Sequence, residues 1–176
     1  MLKKMIPMGI FLVVCGFLLR GLQLHPQEMP SAQLGKAIPM VDVVDVNTLQ
    51  SHNLSHWLGQ PMLIHFFASW CENCTTEMPI LLDWRQTHHV TIIGVDYKDN
   101  PEEAKQWLSL WGNAFVAFLD DSQGQFGLNL GVVATPETFL VDGHGIVQYR
   151  HQGPLTHEIL TREIEPRIQQ WSHKHV

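Results

Sequence analysis

The chain has 176 residues, 45% of them hydrophobic and 16% charged, so it has room for one domain and an appendage and can bury a core without staples. All 17 Asp and Glu but only eight of the 11 Lys and Arg lie from His25 onward, a balance of −9 for that part. So acidic a surface excludes a nucleic-acid partner and docking on anionic lipid unaided.

In chain order, Lys3 and Lys4 precede an apolar stretch from Met5 to Leu19 that ends at Arg20. A full membrane span needs about 20 residues, so the length is marginal. The stretch fits a cleaved signal peptide or an uncleaved anchor; no small-x-small cleavage site follows closely, which favours a signal-anchor helix over residues 1–24. The two lysines put the N-terminus in the cytoplasm and the rest outside. Residues 25–36, polar and punctuated by Pro26 and Pro30, read as a linker. A domain over 37–176 follows.

Ile38 to Val46 predicts a strand near an edge, with Pro39 at its start. Asn47 to His56 is polar and turn-like. Met62 to Phe67 is a buried strand, and Met78, Leu81 and Leu82 mark a helix after Cys71, with a kink expected at Pro79. Val90 to Val95 is a second buried strand. Asn100-Pro101-Glu102-Glu103 starts a helix with a cap, a proline and two acids, and Gly112 stops it. Ala114 to Leu119 is a third strand, and Asp120 to Gly131 a loop with one short helix. Glu137 to Val141 and Ile146 to Arg150 form a hairpin around Asp142-Gly143-His144-Gly145. Thr156 to Trp171 is a final helix, bent or split at Pro166. Strands alternating with helices imply a mixed α/β sheet, parallel in its first part and antiparallel at the hairpin edge.

Chemistry concentrates at Trp70-Cys71-Glu72-Asn73-Cys74. A buried strand delivers two cysteines to the first turn of a helix, where unpaired N–H groups and the helix dipole favour a thiolate. Two cysteines this close cannot staple a fold, because closing so short a loop removes little entropy. A working dithiol fits better than a structural disulfide, and a zinc site lacks two further ligands. Cys71, nearer the helix start, is the expected attacking thiolate and Cys74 the resolving one. Thr135-Pro136 before the fourth strand fits an ordinary trans loop or a cis bond packed against the dithiol. The cis form would leave the backbone at Thr135 free to pair with an extended polypeptide. Trp70 is expected at the rim of the site, in contact with a partner chain.

Taken together, Trp70-Cys71-x-x-Cys74, Pro79 and Thr135-Pro136 before a β-β-α tail resemble the thioredoxin fold. More narrowly, several stretches resemble the CcmG/DsbE family, the membrane-anchored thiol:disulfide interchange proteins of cytochrome c maturation. They include Phe67-Ala68-Ser69-Trp70-Cys71, Glu77-Met78-Pro79, Gly94-Val95-Asp96-Tyr97-Lys98-Asp99, Pro136-Glu137-Thr138-Phe139 and Tyr149-Arg150-His151. The resemblance implies a single-pass inner-membrane protein whose thioredoxin-like domain lies in the periplasm and needs no cofactor and no metal. It implies reduction of the Cys-x-x-Cys-His disulfide of apocytochrome c, or of a thiol protein of the maturation complex, with electrons from a membrane donor of the DsbD/CcdA type. It also implies that Glu77 tunes the dithiol, by raising a thiol pKa or relaying a proton, and that Trp70, Thr135, Pro136 and Glu137 meet the substrate.

Two residues depart from the family pattern. Glu72 stands where proline is common, and its charge beside the thiolate favours a reducing pair. His65 stands six residues before Cys71, where thioredoxins carry a buried Asp; it reads as a core residue or as a proton acceptor for Cys74. Two other readings remain: a general reductase of exported proteins, and a copper-handling module using Cys71, Cys74 and a histidine.

Overall fold

A computed structural model describes residues 2–22, 33–88 and 90–172. The chain divides into two compact units, residues 1–30 and 31–176. In the first, Leu2–Leu22 forms one helix, α1. Ile6, Ile10, Phe11, Val13 and Phe17 of α1 are exposed. Among the described residues no helix is long and apolar enough to cross a membrane. Most of the expected linker, residues 25–32, lies outside the described residues.

The second unit opens differently from the sequence expectation. Instead of one strand over Ile38–Val46, Asp42–Val44 (β1) pairs antiparallel with Ser51–Asn53 (β2) as a separate two-stranded sheet. β2 has no apolar alternation to announce it; its pairing alone defines it. Leu54, fully buried in a short 3₁₀ turn over Leu54–Trp57, belongs to the core of a stretch read as a polar turn. Asp45 secures this hairpin. One oxygen accepts from the backbone of Asn47 and Thr48 and from the Thr48 hydroxyl, and the other accepts from Phe118 N at 3.1 Å. Burial works to raise the Asp45 pKa, but these donors outweigh it and the net shift is downward.

Met62–Phe67 (β3) is buried on both faces, as a continuous apolar run at the middle of a sheet must be. Glu72–His88 (α2) follows and runs unbroken through Pro79. Thr91–Tyr97 (β4) is two residues longer than expected at its end, which brings Asp96 into the sheet. Pro101–Trp111 (α3) starts as read, with the Asn100 side chain accepting from Glu102 N. Ala117–Asp121 (β5) begins later than the sequence indicated, and Gln125–Leu130 (α4) is the short helix in the loop. Glu137–Val141 (β6) and Val147–Gln152 (β7) make the hairpin. The last helix is split: His157–Ile159 (α5), a π-helical turn over Leu160–Ile164, then Glu165–Ser172 (α6). Pro166 has no N–H to give, and the widened turn lies immediately ahead of it.

The five-stranded sheet has the order β5-β4-β3-β6-β7. β3, β4 and β5 are parallel; β6 and β7 run antiparallel to their neighbours. The strand pleat sorts the core into two layers. Leu63 and Phe67 pack with Met78 and Leu81 of α2, Trp107 of α3 and Ile164. Ile64 and Phe66 face the other way, against Val95, Phe126, Leu130 and Phe139. Gly94 permits a close approach in the first layer: a Cβ there would lie 2.3 Å from the Phe115 ring.

Candidate active site

The C-terminal end of β3 delivers the dithiol. Beyond Phe67 the chain turns through Ala68–Trp70 and enters α2 at Glu72, so Cys71 occupies the N-cap position. Its sulfur is placed as a capping atom would be: the backbone N–H of Cys74 donates to Cys71 Sγ at 3.2 Å. Cys71 and Cys74 are joined as a disulfide, with Cys71 5% exposed and Cys74 fully buried. A thiolate on Cys71 gains that N–H and the positive end of the helix dipole. Glu72 sits exposed in the first turn, and its charge opposes part of this gain.

The approach to the site is held by Asp99. One of its oxygens accepts from Ser69 N and the other from the Ser69 hydroxyl at 3.0 Å. Trp70 is 60% exposed and reaches back only weakly, from its indole N–H to Lys98 O at 3.4 Å.

The bond Thr135–Pro136 is cis. Phe66 of β3 lies opposite Glu137 of β6, so the dithiol segment and the proline leave the sheet at the same end. The Thr135 hydroxyl is buried and has no hydrogen-bond partner among the described residues.

Glu77 is buried one turn after Cys74. One oxygen accepts from Leu155 N at 2.7 Å. The other lies 3.1 Å from His65 Nε2, within ion-pair reach but outside the angular range of a hydrogen bond. His65 is fully buried, and its Nδ1 is 2.9 Å from the Thr138 hydroxyl. Its ring stacks near Phe67 and Phe115. His65 is therefore a core residue with polar partners on two sides, beside the layer that holds Cys74.

Glu137 is placed differently from the sequence expectation. It is 1% exposed, one oxygen is ion-paired with the Arg150 Nε, and the other accepts from Val133 N at 3.1 Å. Arg150 also donates to Gly131 O at 2.9 Å. Together they brace the segment 131–136 that carries the cis bond, and no free oxygen of Glu137 faces outward. The roles of Arg150, Thr138, Ser69 and Asp99 depend on strand register and on a loop-to-loop bond, which a linear reading of the sequence does not reveal. Among the described residues no group of three or more His, Cys, Asp or Glu is arranged to hold a metal ion.

The model of the Redoxin family matches residues 33–165. The chain is 37% identical over 165 residues to the probable thiol:disulfide interchange protein DsbE-2 of Pasteurella multocida, covering 93% of this chain and 87% of that protein. It is 34% identical over 177 residues to the thiol:disulfide interchange protein DsbE of Escherichia coli, covering 96% and 94%. A solved structure of MTB dsbF, in mixed oxidised and reduced forms, superposes with a TM-score of 0.65 at 25% identity, covering 75% of this chain and 95% of that one.

Proposed function

The chain belongs to the DsbE thiol:disulfide interchange proteins of the Redoxin family and is a thiol:disulfide oxidoreductase, and from that premise we propose that it reduces the Cys-x-x-Cys-His disulfide of apocytochrome c outside the cytoplasmic membrane. The observation that carries the assignment of roles within the pair is its asymmetry: Cys71 reaches the surface and accepts the Cys74 N–H, which supports it as the attacking sulfur, while Cys74 is sealed and suits the resolving one. In the reduced domain the Cys71 thiolate attacks one sulfur of the substrate disulfide. That bond breaks, the second substrate sulfur leaves as a thiolate and takes a proton, and a mixed disulfide forms. Cys74 then loses its proton and attacks Cys71 Sγ. The substrate leaves with two thiols, and the domain keeps the Cys71–Cys74 disulfide, oxidised by two electrons. A membrane thiol donor of the DsbD/CcdA class returns those electrons.

Three features support the residue roles. Exposed Trp70 and the cis Thr135–Pro136 bond stand at the end of the sheet from which the dithiol segment leaves, and an extended peptide would pair there with the Thr135 backbone. Glu77 follows Cys74 by one helical turn, the spacing of side-chain neighbours, and with His65 it offers an internal destination for the Cys74 proton. Glu137 acts behind this surface, through the loop it braces.

The pair is expected to be a reductant. Equilibrating the domain from Ser31 onward against a thiol redox buffer, read by tryptophan fluorescence, should give a potential well below about −180 mV. A value near about −120 mV, the range of a strong oxidant, would overturn the reductive reading.

The N-terminal helix is proposed as the membrane attachment. Lys3 and Lys4 precede an uncharged apolar stretch, and Ile6, Ile10, Phe11, Val13 and Phe17 within it are exposed. The full chain should stay in the membrane fraction after alkaline carbonate extraction; release into the supernatant would remove this part of the reading.

A further inference from the structure

The mechanism above makes no use of Asp96. This carboxyl lies on β4, fully buried, between Phe67 on β3 and Asp120 on β5. Among the described residues no N–H or hydroxyl reaches either of its oxygens. Its neighbour within hydrogen-bonding reach is another carboxyl, Asp99. A bare carboxylate buried without donors costs several kcal/mol, so nature's cheaper form here is the neutral acid. A neutral acid has one proton to give, and Asp99 is an acceptor.

We propose that Asp96 is a positioning residue for the dithiol: as the neutral acid it donates a hydrogen bond to Asp99, and Asp99, held from behind, fixes Ser69 and the Trp70–Cys71 segment in front. Asp99 is the middle of this chain of bonds. Its oxygens take the Ser69 N–H and hydroxyl, two residues before the nucleophile, and the Asn100 N–H. Lys98, just before it, adopts a left-handed backbone (φ 52°), so the turn has little freedom to find another shape.

The charges around Asp96 favour retention of its proton. Burial is the largest influence, followed by Asp99, and then Asp120 and Asp121 of β5; all raise its pKa, to about 8. Across β3 its partner Phe67 is uncharged. The cations of the neighbouring elements are engaged elsewhere: the Lys98 ammonium lies over the Tyr97 ring, and Lys105 of α3 is paired with Glu102. Asp121 uses its own oxygens on Phe126 N and Gly127 N. Asp96 is thus protonated at neutral pH, and its proton leaves in mild alkali. Two carboxylates then face each other and the hold on Ser69 loosens.

The sign of the stability effect follows. A carboxyl whose pKa is raised on folding stabilises the fold fully only below its unfolded value, near 3.8, and that contribution is lost as pH rises towards about 8. Asp96→Asn keeps the shape and a donor for Asp99 but removes the titration.

The test uses the reduced protein and needs no substrate, so it is independent of the cytochrome reading, although the proposal assumes Cys71 as nucleophile. Carboxyl-carbon NMR of the wild-type domain should show Asp96 titrating near pH 8. The rate of Cys71 alkylation by iodoacetamide, followed against pH, should show a step in that range beyond thiolate formation. In Asp96→Asn the step should vanish while neutral-pH alkylation stays within about twofold, and the melting temperature at pH 8 should rise by about 5 °C or more. In Asp99→Asn the Asp96 midpoint should fall by at least about one unit. An Asp96 midpoint near 4 in the wild-type spectrum would overturn the proposal, whatever the variants do. So would a high-pH step that survives Asp96→Asn.

Discussion

Cys74→Ser converts the domain from a catalyst into a trap. The reduced variant still has Cys71 at the helix N-terminus, partly open to solvent and capped by the residue 74 N–H, so the first exchange proceeds. The second cannot. Serine at the buried position has no sulfur to attack Cys71 Sγ, and the mixed disulfide waits for an external thiol. Well-oriented intramolecular groups reach effective molarities of about 10⁵ M or more, against millimolar thiol in an assay. Turnover should therefore fall by at least about a thousandfold, and the substrate should run covalently attached on a non-reducing gel. Cys71→Ser should abolish both turnover and adduct. An adduct that forms through Cys71→Ser but not through Cys74→Ser would reverse the assigned roles.

Arg150→Met should produce the largest loss of stability. It removes the cation from a pair in which the Arg side chain is 8% exposed and the Glu side chain 1%. A buried charge left without its partner costs about 3–5 kcal/mol, which for a domain of this size lowers the melting temperature by about 10 °C. The carbonyl of Gly131 loses its donor at the same time. Adding Glu137→Gln should recover most of the loss. The amide oxygen still accepts from Val133 N, and no charge is left stranded. Equal melting temperatures for the single and double variants would show that the pair does not brace the loop. Its effect on substrate reduction is expected to be secondary and to appear in KM, because segment 131–136 borders the opening.

How much of this was legible in the sequence depended on how local each feature is. The dithiol, the helix start at Asn100-Pro101 and the hairpin at Asp142–Gly145 are written in consecutive residues, and the structure has them where the residues put them. Thr135-Pro136 was legible as a candidate because a dipeptide and its neighbours sufficed. Glu137 was readable as a residue near the proline, but its partner stands 13 residues on along an adjacent strand, and only the register brings them together. β2 carries Ser-His-Asn, with nothing apolar to mark a strand. Asp96 is hidden from a sequence reading because the apolar pattern of β4 ends at Val95, whereas hydrogen bonding to β3 and β5 carries the strand two residues further.

The bond from Leu155 N to Glu77 spans 78 positions of the chain. A polypeptide emerging from its N-terminus therefore has both cysteines and their helix long before the amide that satisfies Glu77 exists. His65 likewise waits 73 positions for the Thr138 hydroxyl. The interior behind the dithiol is finished last, by the final fifth of the chain. A product cut short after Gly153 would keep every strand of the five-stranded sheet yet leave the Glu77 carboxylate without its donor. Synthesis as far as Leu155 is thereby a condition for a satisfied Glu77.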